Sequence, residues 1–386
     1  MISKTVEDKA FEQQLIGYRR KLHENPELSM EEYETTKAIE GWLDEAGVET
    51  IDLPLETGVL AIINGKKPGP VIALRSDIDA LPIQEKTGLP FASKVPGKMH
   101  ACGHDFHMAS MLGAAQLLNG RTDEIEGTVR IIFQPAEETG AGALRVLKTG
   151  VLDGVRAILG MHDMPNLATG TIGIKSGPLM AAVDHFLIEI KGKGTHAAAP
   201  ENGVDPVVIA SHVVTALQSI VSRTISPLNN AVISVSRLQA GNTWNVIPGK
   251  AELEGTVRTF QEDVRARIPG KMRRIAEGVA QAFGAQAILT YNSQGPSLQN
   301  DEKLSGWAAE TARKSGLHVV TPIPSTIGED FAQYLEKIPG AFFFMGVSGN
   351  SNLHEPDLII DEQAIAPSAR FFADLAIDVL KKLNKE

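Results

Sequence analysis

A change in the pattern of elements near residue 180 constrains the fold of this 386-residue chain most strongly. Upstream, short β-branched runs alternate with helical stretches, as in a layered α/β sheet. Between residues 184 and 291 the order becomes strand, helix, strand, strand, helix, strand, which is typical of a ferredoxin-like unit. The apolar run 341–345 then completes the first sheet. The sequence thus predicts an α/β fold: a mixed-sheet domain flanked by helices (residues 1–179 and 294–386), with an inserted α+β domain (residues 180–293).

Length and composition agree with two domains. A chain of 386 residues exceeds the size at which one hydrophobic core stops growing, and 43% hydrophobic residues suffice for two. One cysteine excludes an internal disulfide and fits a reducing compartment. The first eight residues carry charge, and no uninterrupted apolar run approaches about 18 residues. We therefore expect a soluble, cytoplasmic protein without a membrane partner.

The charge balance bears on the kind of partner. The formal net charge is −10 and the basic residues form no stripe, whereas nucleic-acid binding needs a concentrated Lys/Arg surface. With 36 glycines against 3 tryptophans and 4 tyrosines, the chain also lacks the aromatic content of a base-stacking surface. We expect a small-molecule ligand and no nucleic acid.

Residues 99–107, Met-His-Ala-Cys-Gly-His-Asp-Phe-His, concentrate groups that bind metals. Cys102 and His104 are separated by one glycine, so a thiolate and an imidazole can face one centre. Taken singly, a cysteine is often a small buried hydrophobe and a histidine near a helix start a packing residue. Further ligand-type residues at other predicted strand ends and loops favour the metal interpretation.

Those further residues are Glu137 and Glu138 after one strand, His162 at the end of another, and His354 in a late loop. With Cys102, His104 and one carboxylate, they make five ligands, more than one zinc ion takes. Two divalent ions roughly 3.5 to 4 Å apart would use all five and hold a bridging water. The sequence therefore predicts a dinuclear site.

The adjacent carboxylates can divide the work: Glu138 can bind metal while Glu137 takes a proton from water and returns it to a leaving amine. The alternative is that this acidic pair only stabilises a helix start after Pro135. Asp79 is either a carboxylate that orients a ligand histidine or a turn-capping residue. His107, one helical turn after His104, fits both an orienting role and packing.

Two predictions near the amino terminus are structural. Ser29 and Glu32 have the spacing of a capping box that starts a helix. His23, among Arg19, Arg20 and Glu24, is expected to make a surface or interdomain contact.

The whole chain resembles the amidohydrolase branch of the dinuclear metallopeptidases, which includes hippurate hydrolases, aminoacylases, N-acetyl-diaminopimelate deacetylases and auxin-conjugate hydrolases. The resemblance rests on nine segments in order: 19–28, 75–82, 99–105, 134–138, His162 with Pro165, 194–198, 245–248, 328–331 and 353–354.

This resemblance implies a catalytic domain with an inserted lid or dimerisation domain, two divalent ions (Zn, Mn, Co or Ni), and hydrolysis of N-acyl-L-amino acids or related conjugates. It assigns Glu137 as the acid/base, and it assigns as metal ligands Cys102, His104, Glu138, His162 and His354. It also implies a homodimer or higher homo-oligomer.

Three residues of the inserted domain acquire a role only through the resemblance. His196 matches a lid histidine that reaches a substrate oxygen, often in the neighbouring subunit of related dimers; otherwise it would be a loop residue. Asn245 and Arg258 match positions that hold the substrate carboxylate, and a guanidinium suits that group. Without the resemblance, Arg258 would be a strand-surface charge. Asp163, beside His162, stands where relatives often carry a larger or apolar residue, which bears on acyl preference.

Three alternatives remain at this stage. A dipeptidase or carboxypeptidase could use the same dinuclear site. A thiol enzyme would instead make Cys102 a nucleophile. A binding protein could retain the scaffold without catalysis.

Overall fold

The computed structural model of the chain describes residues 6–386. Its α-helices are α1 (Val6–Glu24), α2 (Tyr33–Glu45), α3 (His104–Asn119), α4 (Gly142–Lys148), α5 (Pro206–Thr224), α6 (Glu262–Ala282), α7 (Glu302–Lys314), α8 (Ala332–Leu335) and α9 (Ile365–Leu383). Its strands are β1 (Glu49–Ile51), β2 (Val59–Asn64), β3 (Lys67–Asp77), β4 (Glu126–Gln134), β5 (Val155–Met164), β6 (Thr171–Gly173), β7 (Gly177–Met180), β8 (Ala182–Lys191), β9 (Thr195–His196), β10 (Ala231–Ala240), β11 (Val246–Ile247), β12 (Lys250–Thr259), β13 (Gln286–Gly295), β14 (Leu298–Asn300), β15 (His318–Val320) and β16 (Gly340–Gly346).

The described residues form two compact units, each with its own hydrophobic core. The first unit takes the described residues up to Gly177, together with Gln299–Ile323 and Gln333–Glu386. The second takes Pro178–Leu298 and Pro324–Ala332. The division predicted from the sequence had placed the segment Pro324–Ala332 in the first domain. It packs with the second unit because Ala181 donates its N–H to the carbonyl of Ser325 (3.0 Å).

The first unit is built on an eight-stranded mixed sheet in the order β1-β2-β4-β3-β5-β16-β6-β15. Its centre, β4-β3-β5-β16, is parallel, whereas β1, β2 and β6 add antiparallel pairings. Parallel strands are buried on both faces, which explains the continuous apolar runs of β3, β4, β5 and β16.

Helix α3 is the central helix of this unit and is buried along nearly its whole length. It packs beside α1 and α9. A Cβ at Gly113 would lie 2.6 Å from Leu15 and 2.8 Å from Ala369, so only glycine permits this approach of the three helices.

The second unit is a four-stranded antiparallel sheet in the order β10-β12-β8-β13, with α5 and α6 packed on it. Alternate side chains of β8, namely Phe186, Ile188 and Ile190, are buried in its core. The predicted ferredoxin-like order is confirmed. Among the described helices, α5 has the length and hydropathy (mean 1.2) of a membrane span. Its Ile209, Val213 and Leu217, however, lie in this core.

The predicted capping box at the start of α2 is wrong. Helix α2 begins at Tyr33, and Glu32 at its N-cap position makes no capping hydrogen bond with its side chain. The carboxylate of Glu27 caps the helix instead, because it accepts hydrogen bonds from the N–H groups of Glu34 (3.2 Å) and Thr35 (2.8 Å). Ser29 and Glu32 are thereby free to reach other parts of the unit.

Candidate metal centre

The candidate ligands lie where parallel strands of the first unit end. This edge is the usual position of a site in an open α/β sheet. Glu137 and Glu138 follow β4, His162 lies near the end of β5, and His104 begins α3. His354 comes from the loop after β16 and donates its main-chain N–H to the carbonyl of Ala101 (2.8 Å).

Two groups of ligand atoms share Cys102. The first contains Cys102, His104 and His162; the second contains Cys102, Glu138 and His354; within each group the ligand atoms lie within 4.8 Å of one another. The sulfur lies 3.4 Å from Nε2 of His162 and 3.2 Å from Nε2 of His354. Nε2 of His354 is also 3.7 Å from Oε2 of Glu138. The other four predicted ligands therefore lie around the sulfur of Cys102.

Two buried ligand atoms lack a hydrogen-bond partner among the described residues, which indicates whether a cation fits this site. Nε2 of His104 and Oε1 of Glu138 are buried and make no hydrogen bond within the described part of the chain. Burial raises the pKa of the Cys102 thiol well above its usual value, and nearby Glu138 adds to the shift. A bound divalent cation would satisfy these atoms and stabilise the thiolate form of Cys102. A sulfur, three imidazoles and a carboxylate suit borderline-soft divalent ions.

The main-chain partners of two histidines select their tautomers. A carbonyl can only accept, so Nδ1 of His104 carries the proton that it donates to the carbonyl of Asp79 (2.8 Å). Nδ1 of His162 donates in the same way to the carbonyl of Asp163 (2.8 Å). Each ring therefore presents the lone pair of Nε2 to the ligand group.

The side chain of Asp79 does more than cap a turn. It is buried, its Oδ2 accepts hydrogen bonds from the Ser29 hydroxyl (2.6 Å) and the main-chain N–H of Glu138 (3.0 Å), and its Oδ1 lies 3.3 Å from Nδ1 of His104. Burial opposes ionisation, yet His104 and Ser29 lower the pKa of Asp79. It therefore contacts residues of both ligand groups.

Glu137 lies at the border of the ligand cluster and belongs to neither of the two groups that share Cys102. Its Oε2 lies 4.0 Å from Nε2 of His104, and its side chain is 12% exposed. A carboxylate at the edge of the ligand group that remains accessible to water has the placement that a general base requires.

A layer behind the ligands was not predicted as a unit. Asp77, fully buried, pairs with Nδ1 of His107 (2.6 Å) and with Nη1 of Arg75 (2.7 Å). Although burial opposes ionisation, His104, His107 and Arg75 hold the pKa of Asp77 well below its usual range. Burial likewise opposes protonation of His107, but Asp77 raises its pKa to about 9. A sequence signal existed: His107 and His104 share one helical face.

Two residues differ in setting from their sequence-based interpretation. Asp163 is fully buried, and its Oδ1 lies 3.2 Å from Nε2 of His107 and 3.1 Å from Nδ1 of His162, so it supports histidines. His23 was expected at a surface or between domains, but it is 1% exposed inside the first unit. Its Nδ1 bonds Oδ2 of Asp105 (2.8 Å), and its Nε2 lies 3.3 Å from Glu85.

The remaining predicted site residues lie in the second unit. His196 (β9) and Asn245 are neighbours, because β9 pairs with β11 and the N–H of Ala197 donates to the carbonyl of Asn245 (3.0 Å). The side chain of His196 is exposed and that of Asn245 is half-buried.

Arg258 (β12) lines a cavity of about 430 Å³ within the same unit. Its Nη1 is buried without a hydrogen bond among the described residues, and burial lowers its pKa. Arg258 is therefore more than a strand-surface charge. The cavity is lined by Val221, Ser226, Pro227, Asn229, Asn230, Ala231, Val232, Arg258, Phe260 and Thr326.

Comparisons with known proteins decide the family. Residues 73–378 match the model of peptidase family M20/M25/M40. The chain is 56% identical over 378 residues to an N-acetylcysteine deacetylase of Bacillus subtilis, covering 98% of this chain and all of that protein. The chain belongs to peptidase family M20/M25/M40.

Two further comparisons agree with this M20 membership. The crystal structure of a Bacillus subtilis protein described as a dinuclear metal binding peptidase from the M20 family matches with a TM-score of 0.89 and 53% identity, covering 97% of this chain and 99% of that one. A thermostable carboxypeptidase of Saccharolobus solfataricus is 37% identical, covering 97% of both chains. The predicted family, the predicted fold class and the prediction of a metal-dependent amidohydrolase are confirmed.

Proposed function

We propose that this M20 protein hydrolyses the amide bond of N-acyl-L-amino acids, releasing a carboxylate and a free amino acid. The observation that carries the proposal is the sharing of Cys102 by two ligand groups, with Glu137 at their edge. Hydrolysis of an amide needs an activated water, a polarised carbonyl and a proton donor for the amine, and such a site can supply all three.

In this proposal two divalent cations (zinc, manganese, cobalt or nickel) are held by Cys102, His104, Glu138, His162 and His354. When bound, the ions would polarise the amide carbonyl and lower the pKa of a water toward about 7. Asp79 orients His104 through the hydrogen bond at Nδ1 and contacts the main chain of Glu138.

Glu137 is the proposed acid/base. Its carboxylate takes a proton from the attacking water as the C–O bond forms, and it delivers that proton to the nitrogen as the C–N bond breaks. Its accessible position suits this exchange, because the proton must pass from water to substrate. The same carboxylate is regenerated after each turnover.

Three residues of the second unit are proposed to contact the substrate: His196 as a donor to the oxyanion, and Asn245 and Arg258 as partners of the substrate carboxylate. Arg258 supports this assignment best, because its buried Nη1 lacks an acceptor among the described residues. A planar guanidinium binds a carboxylate through two hydrogen bonds. Loss of an oxyanion donor such as His196 typically costs about 2.7 to 4 kcal/mol of barrier.

Acetyl derivatives are the first substrates to test, with N-acetylcysteine foremost, because a relative at 56% identity carries that activity in its name. A carboxypeptidase activity is the second candidate, supported by the relative at 37% identity named as a carboxypeptidase. We also propose that the enzyme is soluble, cytoplasmic and a homodimer or higher homo-oligomer, with no nucleic-acid or membrane partner.

The decisive experiment replaces Glu137 by glutamine, which keeps the side chain's size and removes its basicity. On N-acetyl, N-benzoyl and N-succinyl amino acids and on dipeptides, kcat should fall by about 10² to 10⁴, while the protein still binds metal. Parent-rate hydrolysis by Glu137→Gln would refute the acid/base assignment. If the parent enzyme cleaves dipeptides faster than every acyl amino acid, the result would favour the carboxypeptidase activity.

Metal removal separates this proposal from a thiol mechanism. A chelator should abolish activity and one of the four metals should restore it, since the ions activate the water. An enzyme that used Cys102 as its nucleophile would keep its activity in the chelator. It would lose that activity when the metal-free protein is alkylated.

A further inference from the structure

The loop between α1 and α2 reaches the segment 135–138, here called the carboxylate loop. Glu32 is 0% exposed, its Oε1 accepts the main-chain N–H of Ala136 (2.9 Å), and its Oε2 accepts the hydroxyl of Thr57 (2.8 Å). Helix capping does not require Glu32, because Glu27 performs it. Burying a carboxylate is costly, and burial raises the pKa of Glu32 although the contacts with Thr57 and Ala136 favour its charged form.

Ala136 adopts an unusual backbone conformation one residue before Glu137. Its φ is +59°, in the left-handed region that costs a non-glycine residue about 1 to 2 kcal/mol. Its carbonyl accepts hydrogen bonds from the N–H of Gly142 (3.1 Å) and the hydroxyl of Thr139 (3.1 Å), both within the same turn. Its N–H, in contrast, is held by Glu32, which is distant in sequence. Glu32 thus connects the strained residue to the rest of the unit.

We propose that Glu32 is a positioning residue that keeps Ala136 left-handed and thereby directs the side chains of Glu137 and Glu138. A charged acceptor bonds an N–H about twice as strongly as a neutral one, so this contact favours the conformation that Ala136 adopts. If Ala136 relaxed to negative φ, the chain direction after it would change and both carboxylates would move. The inference rests on the proposed roles of Glu137 and Glu138.

A second contact from the same loop supports the inference. Ser29 donates to Oδ2 of Asp79 (2.6 Å), and the same oxygen accepts the N–H of Glu138 (3.0 Å). The loop therefore holds the chain on both sides of Glu137, directly at Ala136 and through Asp79 at Glu138. Two independent contacts at the ends of one short turn indicate that its backbone is held at a defined angle.

The test compares two glutamates of one loop in the full-length, metal-loaded protein. Glu32→Leu removes the acceptor for Ala136, whereas Glu27→Ala removes the cap of α2 and leaves the carboxylate loop untouched. For Glu32→Leu we expect kcat to fall about 100-fold with KM nearly unchanged, because small displacements of catalytic groups have effects of that order. Glu27→Ala should lower the melting temperature and leave kcat within about threefold.

The conservative variant and a backbone variant complete the design. Glu32→Gln keeps an oxygen for Ala136 and an amide for the Thr57 hydroxyl, so its kcat should stay within about tenfold of the parent. Ala136→Gly makes the left-handed conformation free of steric cost. The factor by which Glu32→Leu lowers kcat should therefore be several times smaller when it is measured in the Ala136→Gly background.

The outcomes separate this inference from the proposed function. Equal kcat losses in Glu32→Leu and Glu27→Ala, or a Glu32→Leu loss that Ala136→Gly does not change, would overturn the positioning role. If Glu32→Leu does not fold, Glu32→Gln alone decides: a kcat loss above tenfold at parent stability contradicts the inference. Parent-rate hydrolysis by Glu137→Gln would instead refute the proposed function.

Discussion

Gly103 joins two proposed ligands, Cys102 and His104, in a left-handed conformation with φ of +74°. A Cβ at this position would overlap the carboxylate of Asp163. The glycine therefore serves both the backbone angle and the close approach of a charged group that supports His107 and His162. A motif with another residue between these ligands could not form this turn beside Asp163.

Gly103→Ala should lower the free energy of unfolding by more than the strain of its left-handed backbone angle explains. Gly97 is a matched control, because its φ is also +74° and a Cβ there would meet no atom within 4 Å. We expect Gly97→Ala to lower the free energy of unfolding by about 1 to 2 kcal/mol, and Gly103→Ala to lower it by at least about 1 kcal/mol more because of the overlap. Urea unfolding measures both, and equal losses would contradict this explanation.

Residue types and spacing could nominate the candidate ligands but not the residues that support them. Cys102, His104, Glu138, His162 and His354 carry distinctive donor atoms, so the sequence alone could nominate them. Glu32 and Asp163 are ordinary acidic residues whose roles depend on burial and on partners far along the chain. No local pattern encodes such partners. The capping-box pattern even misdirected the interpretation of Glu32.

At the level of elements, a buried charge cluster joins α1 to the start of α3. Arg19 and His23 of α1 both bond Oδ2 of Asp105 (2.7 and 2.8 Å), one residue after His104. Although burial opposes ionisation, Arg19 and His23 lower the pKa of Asp105. Burial disfavours protonated His23, yet Asp105 and Glu85 raise its pKa overall. The helix that carries a proposed ligand is thus held by charges from the first helix.

The cluster makes a prediction about pH. Because folding raises the pKa of His23 above about 6.5, its usual value, protonated His23 stabilises the fold fully below that pH. The contribution disappears as pH rises through the raised pKa. His23→Gln should therefore lower the free energy of unfolding by about 1.5 to 3 kcal/mol at pH 6, the range for a hydrogen bond to a charged group, and by less in alkaline solution.

His185→Gln is the control for this prediction. His185 pairs with Glu254 at 2.9 Å, but both side chains are about one-third exposed. An exposed pair contributes at most about 1 kcal/mol. Denaturant unfolding from pH 5.5 to 9.5 compares the two variants. A His23→Gln loss that is constant over this range, or one no larger than that of His185→Gln, would contradict the account.

Over the whole molecule, the two units have separate cores, and all five proposed ligands lie in the first. A cation that binds only the folded first unit stabilises that unit by mass action, by about 2.7 kcal/mol at a concentration 100 times Kd. Stabilisation of that size slows amide exchange about 100-fold in the segments that open with the site. The second unit gains nothing directly.

Hydrogen exchange with and without a chelator measures this difference. Metal removal should speed exchange about 100-fold in peptides of α3 and β5, and should leave peptides of β8 and β12 within about threefold. Apo and metal-loaded samples of Cys102→Ser provide the control, because loss of the shared sulfur should greatly reduce the metal effect. Equal acceleration in both units would show that they unfold together.

The architecture was predictable because periodicity changes at the insertion. Strand-helix alternation and the βαββαβ order are local patterns, and both recur in the structure. The segment Pro324–Ala332 escaped prediction because it joins the second unit through an isolated bridge between Met180 and Ser325 and forms no strand of its own. Pairing across long loops leaves no trace in local periodicity.

The position of His354 has a consequence for biosynthesis. Four proposed ligands are synthesised before the second unit and the fifth after it, and β16 must insert beside β5 across more than 170 intervening residues. Since domains fold as they leave the ribosome, the inserted unit is complete while the first still lacks a central strand. A nascent chain released before His354 would contain a folded second unit and an incomplete first unit. Such a chain would lack one proposed ligand and could not retain both ions.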